Sequence, residues 1–373
     1  MELVVSVQNT SKSRSEALFD FGHGEKFEIY IETASELSNL ADSWLALSLP
    51  LAMARGLNVR LVGSVSQSAL NNHVNIQNEL IAGHPNLKQV DVFAADVMVE
   101  LYPKALKKER RIGSFFSGGL DSTYTALNLP EHSELITVWG FDIPVQDTEH
   151  WGITSRLIAE QATAFGKNSV VVKTNLRDMS DKILDWGTGY NGTALAGLAL
   201  ALAPEFREIY IPGSYTNNYV VWGSFPTLDK SFSTDYLEIA DHGLEVRIEK
   251  ALYVLNSGAM KPLRVCWQNK SGLANCGECS KCIRTRFECY WLGNNVYPDG
   301  LWGVPSRVSV LKLNFSEGDY KFLREDLNWI FVTTQKRWLN YRVLFCLVFI
   351  KSQIRKGVVG KLPPRLKDFL KRN

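Results

Sequence analysis

The sequence predicts an α/β protein whose main sheet is parallel and carries helices on both faces. From about residue 109 onward, short apolar runs alternate with helical patterns. Runs such as SVVVKTN and EIYIPGS are largely apolar, which is typical of strands buried on both faces of a sheet. Strands of this kind, separated by helices, indicate a parallel sheet. A small α+β domain before it and a helical, basic region after it complete the predicted fold.

Residues 1–108 are expected to form the separate α+β domain, to which the sequence assigns no role. Two strands are predicted from KFEIYIE and NVRLVGSV. The segment between them, DSWLALSLPLAMARG, has a helical pattern that ends at Gly56. Pro50 inside this pattern predicts a kink or a break. A second helix, SQSALNNHVNIQNELIAGHP, then leads to a closing strand, KQVDVFA, and to a basic linker, YPKALKKERR.

Residues 109–315 contain the regular alternation. The predicted strands are RIGSFFS, ELITVWGFD, SVVVKTN and EIYIPGS, and the predicted helices are DSTYTALNLP, DTEHWGITSRLIAEQATAFG and GTALAGLALALA. After Leu311 the pattern becomes helical and increasingly basic, so residues 316–373 are expected to form the third region.

Charge is distributed unevenly along the chain, although the formal net charge is only +2. Residues 336–373 contain eleven Lys and Arg against one acid, whereas the preceding residues contain 30 basic and 38 acidic side chains. The main body therefore gives no strong signal for nucleic-acid binding. The basic tail is expected either to pack on the core with a solvated end or to contact an anionic membrane or an acidic partner.

Location and redox state follow from the termini and the cysteines. The N-terminal segment MELVVSVQNTSKS lacks the basic and apolar regions of a signal peptide, and no apolar run reaches the roughly 18 residues of a membrane span. All six cysteines lie after residue 265, and four of them fall within 17 positions. A secreted disulfide scaffold would spread them along the chain, so a cytoplasmic protein with a metal site is expected.

The segment SGGLDS, at residues 117–122, lies between a predicted strand and a predicted helix. Backbone N–H groups and the helix dipole converge on an anion at such a position, and two glycines allow a close approach. Asp121 can hold a hydrated Mg²⁺ beside phosphates. The alternative is a Gly-Gly turn in which Asp or Ser caps the helix. We predict nucleotide binding through Ser117, Gly118, Gly119, Leu120, Asp121, Ser122 and Thr123.

Four cysteines form the pattern C-x9-C-x2-C-x2-C, at Cys266, Cys276, Cys279 and Cys282. Four thiolates in a compact, Gly-containing loop suit a closed tetrahedral zinc site. An iron–sulfur cluster and free thiols are the alternatives. Because a closed site leaves no ligand position open, its role is expected to be structural.

The segment SGGLDS resembles the pyrophosphate loop (PP-loop) of the N-type ATP pyrophosphatases, which have a Rossmann-like sheet. It differs from a Walker A loop, because no Gly-Lys-Ser/Thr follows, and from the dinucleotide fingerprint Gly-x-Gly-x-x-Gly. The resemblance implies that the loop grips the β- and γ-phosphates of ATP while a substrate oxygen attacks the α-phosphate. AMP would then be transferred to the substrate and pyrophosphate released.

The loop and the cysteines together resemble the 7-cyano-7-deazaguanine synthase family, over about residues 111–293. In that family a carboxylate is adenylated, ammonia forms the amide, and a second adenylation dehydrates the amide to a nitrile. The segment GSYTNNYVVWGSFPTLDKSFST keeps a Pro but lacks the family's Asp-Cys-Arg, and the two terminal regions are foreign to the compact synthase. Longer synthase-like proteins, some of which occur with bacterial defence or modification systems, are more similar.

Further site residues are expected near the ends of the predicted strands. Asp142 follows the second strand, where open α/β sheets bind ligands, although it could be a turn residue. Arg177 follows the third strand and would counter triphosphate or carboxylate charge, or form a surface salt bridge. Trp222 and Asp229 lie in a long loop, where Trp222 would stack on a planar substrate or simply pack. Arg247 is a further substrate candidate. The residues expected to act in catalysis are Ser117, Asp121, Ser122 and Arg177.

Three functions are compatible with these patterns. The first is an ATP-, Mg²⁺- and Zn²⁺-dependent ligase that makes an amide or a nitrile from a small acid and ammonia or an amine. The second is a ligase or amidotransferase of the same fold that acts on a sugar acid or a protein terminus. The third is an ATP-binding sensor or partner subunit, so a protein partner or a homo-oligomer is also expected. No side-chain nucleophile is required for adenylation, because the enzyme mainly positions the reactants and stabilises charge.

Overall fold

The structure is a computed structural model that describes residues 1–99, 110–214, 223–270, 273–293, 296–313, 317–334 and 339–360. Contacts divide the chain into two compact units, Met1–Leu244 and Glu245–Asn373. This division does not coincide with the boundaries expected at residues 108 and 315.

The described residues of the first unit form one sheet of ten strands, which gives the α/β class that the sequence predicts. The strand order is β10-β9-β6-β7-β8-β3-β2-β1-β4-β5. Six of the nine neighbouring pairs are parallel, and the pairs β1–β2, β2–β3 and β3–β8 are antiparallel. The strands are β1 (Glu2–Thr10), β2 (Arg14–Asp20), β3 (Lys26–Thr33), β4 (Asn58–Ser66), β5 (Val92–Met98), β6 (Arg111–Phe115), β7 (Glu134–Trp139), β8 (Asn168–Thr174), β9 (Phe206–Pro212) and β10 (Glu238–His242).

Seven α-helices connect the strands among the described residues of this unit. They are α1 (Asp42–Arg55), α2 (Gln67–Gly83), α3 (Leu120–Asn128), α4 (Thr148–Ala164), α5 (Arg177–Ser180), α6 (Asn191–Ala201) and α7 (Pro226–Ser231). Helix α1 continues through Pro50 as one element and ends, as predicted, at Gly56. A short π-helical turn, Trp186–Tyr190, precedes α6.

The five strands β6 to β10 form the parallel part of the sheet, in the order β8-β7-β6-β9-β10. This is the order 3-2-1-4-5 of Rossmann-type sheets. Phe115 and Phe116 occupy different buried clusters: Phe115 packs in the large core that includes Ala194 of α6, and Phe116 packs with Ala126 of α3 and Ile158 of α4. Helices therefore cover both faces of this part of the sheet, as expected.

The strands of the first hundred residues continue this sheet. β3 pairs with β8, with Ile31 opposite Thr174. The helices are also joined, because the Tyr190 hydroxyl donates to the Leu47 carbonyl at 2.6 Å, and a Cβ at Gly197 would lie 2.6 Å from Leu47. Residues on both sides of position 108 thus share one sheet and one core, which hydrophobic periodicity within either part could not reveal.

A buried carboxylate links the two parts of the sheet. Asp42, in the first turn of α1, accepts a hydrogen bond of 2.7 Å from the Ser66 backbone N–H. It also accepts hydrogen bonds from the hydroxyls of Ser66 and Tyr236. Burial raises the pKa of Asp42, and the three hydrogen bonds oppose this rise because they stabilise the ionised form.

The described part of the second unit is helical and has its own core. Its helices are α8 (Arg247–Asn256), α9 (Ser280–Trp291), α10 (Arg307–Lys312), α11 (Glu317–Thr334) and α12 (Leu339–Gly360). Ile248, Phe287, Leu327 and Phe345 are among the buried side chains that hold α8, α9, α11 and α12 together. The cysteine-rich loop precedes α9 in this unit.

Candidate functional site

The segment SGGLDS lies where the direction of the sheet connections changes. β6 ends at Phe115 and α3 begins at Leu120, so the loop between them lies at the carboxyl end of β6. From β6 the chain builds β7 and β8 on one side, and β9 and β10 on the other. A crevice at such a switch point is where open α/β sheets bind ligands.

The backbone of this loop requires glycine at Gly118, which has a φ of +73°. Other residues adopt this left-handed conformation only at a cost of about 1–2 kcal/mol. Gly119 is the N-cap residue of α3. Because glycine has no side chain, it makes no side-chain hydrogen bond to the N–H groups of the first turn, as Asp or Ser would. The first turn of a helix presents N–H groups without intrahelical partners, which is the arrangement that binds anions.

Hydroxyl groups within the loop have different roles. The Ser122 hydroxyl accepts from the Ser117 N–H at 3.3 Å and donates to the Gly119 carbonyl at 3.1 Å, so it fixes the shape of the loop. Ser117 is exposed and can offer its hydroxyl to a ligand. Thr123 is fully buried, and its hydroxyl has no hydrogen-bond partner within the described structure. Leu120 packs in the interior, so only its backbone is suited to the predicted role.

Acidic and basic candidates lie close to this edge of the sheet. Asp121 is partly exposed in the first turn of α3, where a carboxylate is favoured by the helix dipole. Asp142 is exposed in the turn after β7. Arg177 donates to the Phe141 carbonyl at 2.9 Å and forms a salt bridge with Asp181 at 2.8 Å. Arg177 therefore forms the surface salt bridge that was the alternative to a role in charge compensation. Its guanidinium nevertheless lies beside the turn that carries Asp142.

Asp229 belongs to an acidic pair, with the half-buried Asp241, that sequence reasoning identified only in part. Asp229, on α7, is fully buried and accepts from the Ser224 hydroxyl at 2.5 Å. Its carboxyl is hydrogen-bonded to that of Asp241, on β10. A Cβ at Gly192, in the first turn of α6, would lie 2.8 Å from Asp229 Oδ1, so this approach requires glycine. Asp241 was missed, although a carboxylate inside the strand EIADH is a recognisable signal.

Burial is the main reason that the pKa of both carboxyls is raised. The pKa of Asp241 is raised to about 7, and burial together with the charge of Asp241 raises the pKa of Asp229 well above its usual value. Two carboxyls in hydrogen-bond contact cannot both ionise without repulsion, so the pair keeps both protons below this pH and holds a single proton above it.

The acidic pair predicts a pH dependence of stability. Between pH 4 and pH 7 the folded Asp241 keeps a proton that the unfolded chain has lost, so the free energy of unfolding falls as the pH rises through this window. We expect Asp241→Asn to remove the share of this fall that Asp241 contributes, while the share from Asp229 remains, and to stabilise the chain at pH 8 by on the order of 2 kcal/mol. Urea unfolding of both proteins at several pH values measures the free energy of unfolding. Glu238→Gln, at an exposed position of the same strand, is the control, and an unaltered pH profile in Asp241→Asn would contradict the assignment.

Two substrate candidates remain. Arg247, in the second unit, is buried and forms an ion pair with Glu288 at 2.9 Å, and it donates to the Thr285 hydroxyl. This places it inside the helical core of that unit and favours a packing role. Trp222 lies outside the described residues.

The four cysteines form a compact sulfur cluster in the second unit. The four Sγ atoms of Cys266, Cys276, Cys279 and Cys282 all lie within 4.8 Å of one another. The distances Cys276–Cys282 and Cys266–Cys279 are both 4.0 Å. Tetrahedral zinc with Zn–S bonds of 2.3 Å requires sulfur atoms about 3.8 Å apart. The cluster can therefore hold a metal ion such as zinc with little rearrangement.

Local backbone structure positions these sulfur atoms. The Cys279 N–H donates to Cys276 Sγ at 3.3 Å, and the Cys282 N–H donates to Cys279 Sγ at 3.5 Å. Cys279 is also the N-cap of α9. N–H donors of this kind stabilise thiolates, as does a helix N-terminus. The two N–H groups thus offer hydrogen bonds to ligands of the ionised form that a metal needs.

A buried amide supports the cluster from behind. The Asn275 side chain accepts from the N–H groups of Val265 and Cys266, at 2.8 and 3.2 Å. It donates to the carbonyls of Leu263 and Asp299, both at 2.8 Å. Asn275, which directly precedes Cys276, therefore holds the segment that carries Cys266 next to the loop that carries the other three cysteines. Its position directly before Cys276 was available in the sequence, but nothing there indicated its burial.

Comparison with known proteins adds no assignment: no protein-family model, no curated protein and no solved structure matches this chain. Within the described residues, none of the helices is long and apolar enough to cross a membrane.

Proposed function

We propose that the protein is an ATP-dependent ligase that forms AMP and pyrophosphate, of the 7-cyano-7-deazaguanine synthase kind. It would adenylate a carboxylate or amide oxygen of a small acid and use ammonia or an amine to make an amide or a nitrile. The observation that carries the proposal is the SGGLDS loop, which leaves the carboxyl end of β6 at the switch point and starts α3.

The residues of the loop suit the departing pyrophosphate of ATP. The N–H groups of the first turn of α3 and the exposed Ser117 hydroxyl would donate to its oxygens, while Ser122 keeps the loop in shape. The carboxylate of Asp121 would hold Mg²⁺, which neutralises phosphate charge. Arg177, held beside Phe141, would offset charge on the triphosphate or on the acid.

The four-cysteine cluster would hold zinc in a structural role. All four ligands come from the chain, and Asn275 fixes the loop that carries them. Reduced thiolates and the use of ATP fit a cytoplasmic location.

Product analysis tests this proposal. Purified protein would be incubated with ATP, Mg²⁺, ammonia and 7-carboxy-7-deazaguanine, and AMP, pyrophosphate and the modified base would be followed by mass spectrometry. The synthase-like function predicts AMP and a base that gains an amide or nitrile. Pyrophosphate release with a different acid would identify a ligase of the same fold but another substrate. If the protein bound ATP tightly but released no pyrophosphate from it with any acid tested, it would be a nucleotide-binding subunit, and the proposal would be contradicted.

A further inference from the structure

Helix α12 has two apolar faces, of which one is buried. Leu344, Phe345 and Val348 pack in the core of the second unit, and Ser352 is buried in line with them. This face accounts for the packing of α12 against α10 and α11. The helix is therefore a fixed part of the unit and cannot turn to bury its other side.

The opposite face carries an exposed aliphatic stripe formed by Val343, Leu347, Ile350 and Ile354. Each of these side chains is between 52% and 63% exposed. Their spacing of four, three and four residues places them on one narrow line along the helix. Single exposed apolar residues are common on protein surfaces, but four in a line are the pattern of a helix-pairing seam.

Helix α10 is a neighbour of α12 that also exposes aliphatic side chains. Lys351 donates to the carbonyls of Leu311 and Leu313, at 2.6 and 3.3 Å, so the end of α10 lies against α12. Val308 and Leu311, one turn apart on α10, are also exposed. The stripe itself is formed by side chains of α12 alone.

Charge indicates what kind of partner covers the stripe. Helix α12 itself contains four Lys and Arg and no acid. Lys351 and Arg355 are exposed next to the stripe. A second copy of the chain would bring the same positive charge against itself, which opposes pairing. An acidic partner would be attracted.

The shape of the stripe favours a partner helix over a membrane surface as the binding partner. A helix that lies in a membrane interface presents a broad apolar face with aromatic or leucine side chains. Here the exposed face is one residue wide and aliphatic, and the broader apolar face of α12 is already buried. We propose that α12 pairs with an amphipathic helix of a partner protein that has an aliphatic stripe and acidic flanks.

Peptide binding to the full chain tests the proposal. The probe is a designed helical peptide of about 28 residues, with Leu at the a and d positions and Glu at the e and g positions. A second peptide carries Lys instead of Glu. We expect the acidic peptide to bind at least about tenfold more tightly than the basic one, and to bind more weakly at high salt. Fluorescence anisotropy of labelled peptide measures both.

Matched variants locate the binding surface. The double variant Leu347→Ser, Ile350→Ser should weaken binding of the acidic peptide at least about tenfold. Val332→Ser, at an equally exposed position of α11 outside the stripe, should leave it unchanged. Both changes are on the surface, and thermal unfolding verifies that the variants remain folded.

Several results would overturn the proposal. These are equal binding of the two peptides, no binding of the acidic peptide, and unaltered binding in the double variant. Self-association that the double variant abolishes would assign the stripe to a second copy. Stripe-dependent uptake on vesicles of phosphatidylcholine and phosphatidylserine, without peptide binding, would assign it to a membrane.

Discussion

Cys276→Ser is expected to abolish stoichiometric zinc binding and to lower the stability of the second unit by several kcal/mol. Structural zinc sites contribute about 10–16 kcal/mol of binding free energy in small peptides, and this energy is coupled to folding. Cys276 is the least buried of the four ligands, so replacing its sulfur changes little packing. Zinc per chain, from elemental analysis, and thermal unfolding measure the two effects. A strong chelator should destabilise the unchanged chain in the same way.

The matched control is Cys289→Ala, on the helix α9 that follows the cysteine-rich loop. Cys289 is fully buried, and its sulfur lies 3.9 Å from that of Met260, away from the cluster. We expect this variant to keep one zinc per chain while it loses on the order of 1 kcal/mol of packing energy. Purified protein that contains no metal, or a Cys276→Ser variant that keeps both its zinc and its stability, would show that the cluster is not a structural zinc site. Bound iron with sulfide would identify an iron–sulfur cluster instead.

Asp121→Asn is expected to slow pyrophosphate release by on the order of a hundredfold. Asparagine has the shape of aspartate but lacks the charge with which Asp121 would hold Mg²⁺ beside the phosphates. Since α3 keeps its sequence otherwise, the loop and the fold should be retained. The initial rate of pyrophosphate release, measured over a range of Mg²⁺ concentrations with a substrate acid present, tests this. Excess Mg²⁺ should restore part of the rate.

Glu131→Gln removes the same charge at an exposed position beyond the other end of α3. It should leave the rate unchanged, which separates a local effect on the loop from an effect of net charge. An Asp121→Asn variant that releases pyrophosphate at the normal rate would remove Asp121 from the site. The loop would then have to bind the nucleotide without this carboxylate.

Features encoded by neighbouring residues were predictable from the sequence. The strand RIGSFFS, the glycines of the loop and the helix after them lie within twenty residues, and β6, the loop and α3 follow in that order. The cysteine spacing likewise anticipated a sulfur cluster, because three of its members lie within one short turn and the start of a helix. In both cases local backbone geometry fixes the relation between the groups.

Features that depend on distant residues were not predictable. The hydrophobic pattern of KFEIYIE predicts a strand but does not say that its neighbour is β8, some 140 residues later. The pairing of Asp229 with Asp241 likewise requires that α7 lies on β10. The ion pair of Arg247 with Glu288 depends on which face of α8 meets α9, and periodicity does not show this. Tertiary packing decides each of these cases.

The antiparallel seam between β3 and β8 has a consequence for biosynthesis. During synthesis β1 to β5 leave the ribosome before β8 does. One edge of β3 therefore stays unpaired while more than a hundred further residues are synthesised. Open strand edges are where chains aggregate or exchange segments. For the same reason, residues 1–108 are unsuited to removal as a block, since their loss would leave β8 as a new bare edge. The N-terminal strands are synthesised first, but they complete their sheet only when β8 has been made.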